Sequence, residues 1–289
     1  MTEIEQYVAP SSLEQAAEYL RRSAEVTILA GGTDLMPQSQ SGRLKIKRTL
    51  MNIRHVSELK GIAIDGGAIR IGALCTITEI MQSELVKKHL PILIETCDHF
   101  ASNQIRNAAT VGGNICNASP AGDTLVPLLV LNAEIELASK PNGSVVRRRM
   151  PLAEFFVGPG KTKRGPAELL AGLRIALPGA DHYARFFKFG TRPALDISAI
   201  SIGIAGTLKN GALSNARVAF GAVAPVPMRA PRTEQALEGK RLDAANIDAI
   251  ANVARDEVTP IDDIRATAWY RKELIHNITK RMLAHVAQA

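Results

Sequence analysis

The sequence contains few cysteines and few aromatic residues. Its 289 residues include three cysteines, Cys75, Cys97 and Cys116, and Phe, Tyr and Trp together make up 4%. Because no two cysteines form a C-x-x-C pair and the six histidines have no metal-type spacing, neither a disulfide framework nor a zinc or iron–sulfur site is predicted within this chain. We expect the three thiols to be small buried side chains.

Long hydrophobic runs are also missing. The longest apolar run extends from Leu125 to Leu131, contains Pro127 and is far too short to cross a bilayer. Residues 1–5 are acidic and carry no apolar signal segment. We therefore expect no membrane span and a cytoplasmic location.

The net charge of +7 does not by itself indicate nucleic acid. The basic residues form short runs at 45–48, 147–149 and 161–164 without interleaved aromatic residues. A surface that stacks bases needs such aromatic residues. We therefore predict no nucleic-acid binding, and we expect these runs to be solvated loops or to contact an acidic partner surface.

Two well-known phosphate-binding fingerprints are absent. The glycine pair at Gly31 does not fit the G-x-G-x-x-G pattern of the Rossmann fold. The Gly160-Lys161-Thr162 stretch resembles the end of a Walker A loop, but Phe155 stands where that motif needs its first glycine, and Pro159 removes a backbone donor. A P-loop nucleotide triphosphatase is excluded, and we predict an exposed basic loop here.

Two other glycine-rich stretches are present and are built alike. Each follows a short apolar run, and their first residues, Ala30 and Thr110, lie 80 residues apart. The stretches are Ala30-Gly31-Gly32-Thr33-Asp34 and Thr110-Val111-Gly112-Gly113-Asn114. A glycine pair lets backbone N–H groups approach a ligand closely. Each stretch alone could be a turn that merely connects two elements, but together they suggest a long anionic ligand held at two points, such as a dinucleotide diphosphate.

Two charged residues are further candidates for ligand contact. Asp123 could accept hydrogen bonds from ribose hydroxyls or another ligand donor; alternatively, Ser119 or Asp123 caps the apolar helix through Leu125. Lys188 lies in the apolar strand 186–189, where a buried charge needs a partner. It could face a diphosphate or a reducible ring, or it could simply face water by strand alternation.

Hydrophobic periodicity and turn signals predict the elements and an α+β fold. Hairpin turns are expected at residues 65–67 and at Asn210-Gly211, and Pro178-Gly179 is the expected domain boundary. Beyond that boundary strands precede helices. The predicted strands are 26–30, 49–53, 68–73, 134–138, 168–177, 184–189, 197–208 and 216–222, and the predicted helices are 12–22, 77–81, 85–100 with a new helix at Pro91, 125–131, 232–238, 244–258 and 264–285.

At these motifs the chain resembles the flavin-binding medium subunit of the molybdenum hydroxylases, the xanthine and carbon monoxide dehydrogenase family. The similarity covers almost the full chain, and the order and separation of the paired loops are its most specific features. The matching stretches are residues 30–34, 103–106 leading into 110–114, 118–123, 154–156, 168–170, 187–188 and 270–271.

The resemblance implies a two-part, PCMH-like FAD-binding domain over residues 1–177, split near 55–60, and a smaller C-terminal α+β domain over 178–289. It implies no catalytic residue and no metal ligand in this chain. Asp123 and Lys188 would lie close to the flavin, and Leu170 would pack nearby. The residues implied to line the FAD diphosphate are Ala30, Gly31, Gly32, Thr33, Asp34 and Leu35 in the first loop, and Thr110, Gly113 and Asn114 in the second.

The resemblance also implies partner subunits. In that family a small subunit holds two [2Fe–2S] clusters and a large subunit holds a molybdopterin cofactor, at which substrate is hydroxylated. The chain would then pass electrons from the clusters, by way of its FAD, to an external acceptor. A dimer of heterotrimers is the family expectation.

Two departures from the family pattern leave alternatives open. The cysteine-rich insertion that some relatives carry after the second glycine motif is absent, so a flavin-only subunit is expected. Where some members place an aromatic residue over the flavin ring, this chain has Pro193, Ala194 and Leu195, and the acceptor can be NAD, a quinone, oxygen or an electron carrier. A stand-alone FAD oxidase or dehydrogenase and a flavin-free assembly scaffold are the alternative functions.

Overall fold

The N-terminal part of the chain forms a small parallel sheet. A computed structural model describes residues 4–192 and 195–288, so the predictions for Pro193 and Ala194 lie outside the described residues. The sheet has the order β1-β3-β2. The elements of this part are β1 (Gln6–Val8), α1 (Leu13–Arg22), β2 (Val26–Leu29), α2 (Leu35–Gln40) and β3 (Thr49–Asn52).

The middle part combines a five-stranded antiparallel sheet with a layer of short helices. The sheet order is β4-β5-β10-β6-β7, and β8 and β9 form a separate ribbon. Its strands are β4 (Ile62–Asp65), β5 (Ala68–Gly72), β6 (Glu134–Ser139), β7 (Val146–Pro151), β8 (Phe156–Gly158), β9 (Lys161–Thr162) and β10 (Leu169–Ala176). Its helices are α3 (Ile77–Gln82), α4 (Glu84–His89), α5 (Pro91–Asp98), α6 (Asn103–Arg106), α7 (Val111–Asn117) and α8 (Leu125–Val130).

The C-terminal part packs three helices on a four-stranded antiparallel sheet of order β11-β12-β13-β14. Strands do precede helices here, and the predicted α+β class is confirmed. The elements are β11 (His182–Phe189), β12 (Ile200–Lys209), β13 (Ala212–Gly221), β14 (Met228–Arg229), α9 (Pro231–Leu237), α10 (Ala244–Glu257) and α11 (Ala268–Val286).

Three hydrophobic cores hold these parts together. One lies between α1 and the first sheet, and another between the last sheet and α9 to α11. The largest lies under the helices of the middle part, and it also takes in Phe186, Ala205 and Ala219 from beyond the predicted boundary at residue 178. The division into domains at 177/178 therefore stays a prediction, because a shared core crosses it.

Most predicted elements are present, and the main differences lie at the ends. The last helix starts at Ala268 and not at residue 264, because the Thr267 side chain caps it by accepting from the N–H of Tyr270. The strand predicted from residue 197 starts at Ile200. The second glycine stretch, predicted as a loop, is the first turn of α7. No helix within residues 4–192 and 195–288 has the length and apolar character that a membrane crossing needs.

Candidate functional site

One large cavity lies where the three parts of the chain meet. Its volume is about 1360 Å³, and it receives residues from both glycine stretches and from the C-terminal part. Of the residues predicted for the site, all except Asp123 and Lys188 line it: Ala30, Gly31, Gly32, Thr33, Asp34, Leu35, Thr110, Gly113, Asn114 and Leu170. The two stretches that the sequence paired are thus brought together in one site.

The first glycine stretch presents free backbone donors to this cavity. It runs from the end of β2 into α2, and Gly32 has φ +75°, a conformation that favours glycine. Among the described residues, the backbone N–H groups from Gly31 to Leu35 donate no hydrogen bond. Successive N–H groups in a turn make a concave anion-binding site. This stretch can therefore bind a phosphate group with its backbone.

The first stretch is held against the second by direct backbone contact. A Cβ atom on Gly31 would lie 1.9 Å from the carbonyl oxygen of Ala108, so only glycine fits there. A side-chain hydrogen bond of 3.0 Å from Gln38 Nε2 to Asn117 Oδ1 joins the helices that follow the two stretches. The distance between the two stretches is therefore fixed before any ligand binds.

The second glycine stretch resembles the first in sequence but not in its hydrogen bonds. The N–H groups of Val111 and Gly112 donate to the carbonyl oxygens of Cys75 and Ala73, at 3.0 and 2.9 Å. The N–H of Gly113 donates to Oγ1 of its N-cap residue, Thr110, at 3.1 Å. These donors are not available to a ligand, so this stretch contributes a close backbone surface.

Asn114 supplies a side-chain donor beside that surface. Its Oδ1 accepts a hydrogen bond of 2.7 Å from the hydroxyl of Thr124. An amide whose oxygen is engaged in this way turns its NH₂ group outward. Because Asn114 lines the cavity, that NH₂ group can donate to a ligand.

Asp123 and Lys188 form a buried ion pair behind the cavity wall. Lys188 Nζ donates to Asp123 Oδ2 at 2.7 Å and to the carbonyl of His99 at 3.1 Å. The other carboxylate oxygen, Oδ1, accepts from Ser198 Oγ at 2.7 Å, and Ser198 lines the cavity. Burial raises the pKa of Asp123, an effect that Lys188 and Ser198 oppose.

Two alternatives for these residues are therefore wrong. Lys188 does not face water by strand alternation, because its side chain is 7% exposed and paired with Asp123. Neither Ser119 nor Asp123 caps α8, whose N-cap residue is Thr124 and makes no side-chain cap bond. Lys188 also lines a second cavity of about 610 Å³, together with His99, Phe189 and Asp196.

Two basic residues in or near the cavity have structural contacts. Arg106, part of the stretch quoted for the family resemblance, donates to the carbonyls of Asp98 and Phe100 at 3.0 and 2.9 Å and so closes the end of α5. Arg164 donates to the carbonyl of Glu168 at 2.7 Å. The predicted exposed basic loop at 160–162 is exposed at Gly160 and Lys161, but Lys161 and Thr162 form the short strand β9, and Gly160 and Thr162 also line the cavity.

The C-terminal part contributes a wall that sequence reasoning missed. The segment between α10 and α11 reaches the cavity through Thr259, Ile261, Asp263 and Arg265. Arg271 of α11 holds this segment by donating to both oxygens of Asp263, each at 2.7 Å, and to the carbonyl of Ile261 at 3.2 Å. No local motif marks these residues, because their role arises from packing between distant parts of the chain.

Burial changes the pKa of one carboxyl group and one thiol that line the cavity, Asp34 and Cys116. Asp34 opens onto the cavity, but the surrounding walls remove water and raise its pKa, which a hydrogen bond from Gln38 partly opposes. Burial raises the pKa of Cys116 to about 11, and those of Cys75 and Cys97 to about 11 and about 12. Among residues 4–192 and 195–288, no group of three His, Cys, Asp or Glu side chains could hold a metal ion.

This geometry defines a protein that holds a long, phosphate-bearing ligand between two glycine-rich stretches. Comparison with models of protein families identifies the class to which this protein belongs. Residues 2–178 match the FAD-binding domain of molybdopterin dehydrogenases, and residues 185–286 match the C-terminal domain of carbon monoxide dehydrogenase flavoproteins. The chain belongs to the family of FAD-binding medium subunits of the molybdenum hydroxylases, as the sequence motifs predicted.

Individual relatives agree with this assignment over nearly their whole length. The xanthine dehydrogenase FAD-binding subunit of Escherichia coli O157:H7 is 32% identical over 100% of this chain and 98% of its own length. The reconstituted carbon monoxide dehydrogenase of Oligotropha carboxidovorans contains a chain with TM-score 0.91 and 28% identity, covering 98% and 97% of the two chains. The carbon monoxide dehydrogenase of Hydrogenophaga pseudoflava that lacks the Mo-pyranopterin moiety of its molybdenum cofactor gives 0.90 and 28%, covering 96% and 94%.

The cavity fits FAD on its own evidence. The free N–H groups of the first stretch suit a diphosphate, and the glycine surface at Gly113 leaves room for a ligand backbone to approach. Leu170, buried and lining the cavity, supplies an apolar contact for a ring.

Proposed function

We propose that this chain connects the iron–sulfur clusters of a small partner subunit to an external electron acceptor, in a cytoplasmic molybdenum hydroxylase. FAD supplies the redox chemistry when bound. The observation that carries the proposal is the cavity that both glycine stretches line, with its row of free backbone donors. The relatives support it, because one is an FAD-binding subunit of xanthine dehydrogenase and another belongs to an enzyme with a molybdenum cofactor.

Each site residue has a proposed role. The backbone from Gly31 to Leu35 binds the FAD diphosphate, with Ala30 at its start. Gly113, next to Thr110, permits close approach on the other side, and Asn114 donates from its side chain. Leu170 packs near the flavin. Asp123 and Lys188 act from behind the wall, through Ser198, as a fixed charge pair that orients the polar surface beside the flavin.

We also propose the division of the chain and of the complex. Residues 1–177, with a split near 55–60, form the FAD-binding domain, and residues 178–289 form the C-terminal domain; the limits of the two family models support this. The partners are an iron–sulfur small subunit and a molybdopterin large subunit, arranged as a dimer of heterotrimers. The organic substrate is bound and selected in the large subunit.

The alternative functions make different predictions. A stand-alone FAD oxidase or dehydrogenase would turn over an organic substrate without partners, and a scaffold would bind no flavin. The chain purified alone should instead show the visible absorption of an oxidised flavin, release FAD as identified by mass, and hydroxylate nothing. A protein that stays colourless both with excess FAD and with its partner subunits would exclude the proposal.

A single substitution tests the second glycine stretch. We expect Gly113→Val to abolish FAD binding while the chain stays folded, because the side chain would enter the cavity and meet Thr110 Oγ1, 2.8 Å from an added Cβ. Binding measured by flavin fluorescence should weaken at least about a hundredfold. Gly179→Val is the matched control, because a Cβ at Gly179 meets nothing within 4 Å. Unchanged affinity in Gly113→Val would remove this stretch from the site.

A further inference from the structure

Strand β7 forms one edge of the five-stranded sheet and is unusually regular for an edge. It pairs with β6 over six residues, from Glu134 opposite Pro151 to Ser139 opposite Val146, without a shift in register. No residue of β7 lines either described cavity. Natural sheets protect such edges with bulges, very short strands, proline or charged side chains. Strand β7 has neither a bulge nor a short length, and it carries only the charges of its three arginines and Pro151 at its end. Within residues 4–192 and 195–288, β7 pairs with β6 alone.

The pairing register shows which backbone groups point away from β6. Pro151 has no N–H, so the Glu134–Pro151 pair is of the non-hydrogen-bonded kind, and antiparallel pairs alternate. The N–H of Leu152 donates a hydrogen bond of 2.8 Å to the carbonyl of Ala133. This pair is next to the Glu134–Pro151 pair, so the bond agrees with the alternation. Arg147 and Arg149 therefore direct their backbone N–H and C=O groups toward the open edge.

The side chains of the same two residues are incompletely paired. Both reach toward the buried carboxylate of Glu136, at 3.6 Å for Arg147 and 3.5 Å for Arg149, but its closest partner is Arg70 at 2.9 Å. Neither arginine donates a hydrogen bond to another described residue. Their side chains are 40% and 52% exposed. The single carboxylate of Glu136 thus lies near three guanidinium groups, and N–H donors of Arg147 and Arg149 remain without an acceptor among the described residues.

The charge of this edge determines what can pair with it. A second copy of β7 would bring like charges directly opposite each other, which is destabilising. An uncharged strand would leave the guanidinium groups without their counter-charges. A strand with acidic side chains at alternate positions would neutralise Arg147 and Arg149 while its backbone completes their hydrogen bonds.

We propose that β7 accepts an extended acidic segment of a partner chain as an additional strand of the sheet. Asp or Glu side chains at alternate positions of that segment face Arg147 and Arg149. Arg148, on the opposite face of the sheet, takes no part, because Glu168 already binds it at 2.6 and 2.7 Å. The interaction does not require flavin, since β7 lies away from the cavity.

The test uses the full chain and a short synthetic peptide of alternating Glu and Thr. We expect binding at low ionic strength that weakens with salt. The peptide should slow hydrogen exchange at the backbone amides of Arg147 and Arg149. It should leave the amides of Arg148 and Met150 unchanged, because these already pair with β6. A peptide methylated on the backbone nitrogens that face β7 should not bind.

Variants separate the edge from general charge attraction. Arg147→Gln with Arg149→Gln should weaken peptide binding at least about tenfold, whereas the matched pair Lys88→Gln with Lys240→Gln, exposed on other elements, should not. Urea unfolding of both variants checks that the fold is intact. Absence of binding, binding that survives backbone methylation, or equal loss in both double variants would overturn the proposal. Loss of FAD binding would have no bearing on it.

Discussion

The two glycines of each pair differ in how closely the neighbouring chain packs against them. In each pair the first glycine is a packing residue, since a Cβ on Gly31 would strike Ala108 and a Cβ on Gly112 would lie 2.6 Å from that of Ala73. The second glycine, Gly32 or Gly113, lines the cavity, as its partner does, but makes no comparable backbone clash. In each pair, therefore, the first position is required for packing, and the second lines the cavity without that requirement.

At the residue scale the close contact at Gly31 predicts a loss of stability that is measurable without ligand. Gly31→Ala should lower the free energy of unfolding by about 3 kcal/mol, because the methyl group must push two backbone segments apart. Urea denaturation of the flavin-free protein measures this. Gly179→Ala is the control and should change stability little, since a Cβ there meets nothing within 4 Å. An unaltered unfolding midpoint in Gly31→Ala would show that the two stretches are not in contact.

At the element scale, the sequence predicted features that depend on residues close together in the chain, such as hairpin turns. The Asn210-Gly211 turn joins β12 to β13, as the sequence indicated. Missed features depend on distant partners. The N–H of Gly31 is free and the N–H of Gly112 is bonded although their sequences are similar, because the carbonyl of Ala73, distant in sequence, lies next to Gly112.

The segment between α10 and α11 is the element whose role depends most on such long-range contacts. Burial alone would raise the pKa of Asp263, but hydrogen bonds from Arg271 and from the N–H groups of Arg265 and Ala266 outweigh it and lower the pKa. A lowered pKa in the folded state means that ionised Asp263 stabilises the fold above the ordinary Asp pKa. That stabilisation is lost as the pH falls through the lowered value.

Asp263→Asn should therefore destabilise the protein at neutral pH by about 2 kcal/mol, since it leaves the buried Arg271 guanidinium without its counter-charge. As the pH falls below the ordinary Asp pKa of about 4, the wild type should lose stability more steeply than the variant, so that the two curves approach each other. Chemical denaturation across this range measures both. Asp256→Asn is the control, because exposed Asp256 pairs only with adjacent Arg255 among the described residues. Parallel curves would mean that Asp263 does not hold the segment.

At the scale of the whole molecule, the cavity and the largest core both cross the predicted domain boundary. Cavity residues such as Ser198 and Thr259 come from the C-terminal part, and Phe186, Ala205 and Ala219 belong to the middle core. Sequence similarity divides the chain into two matched regions, but the physical contacts make the regions dependent on each other. Length and motif order could predict the regions; only the packed structure reveals their common site.

A cut in the linker tests this dependence. A protease site inserted between Gly179 and Ala180, where the chain is exposed, should be cleaved without separating the fragments, because the buried surface between them holds them together. The two pieces should co-elute in size-exclusion chromatography and retain FAD. The uncut insertion variant serves as the control for any effect of the insertion itself. Fragments that separate, with FAD remaining on residues 1–177 alone, would show that the C-terminal wall contributes neither to the core nor to the site.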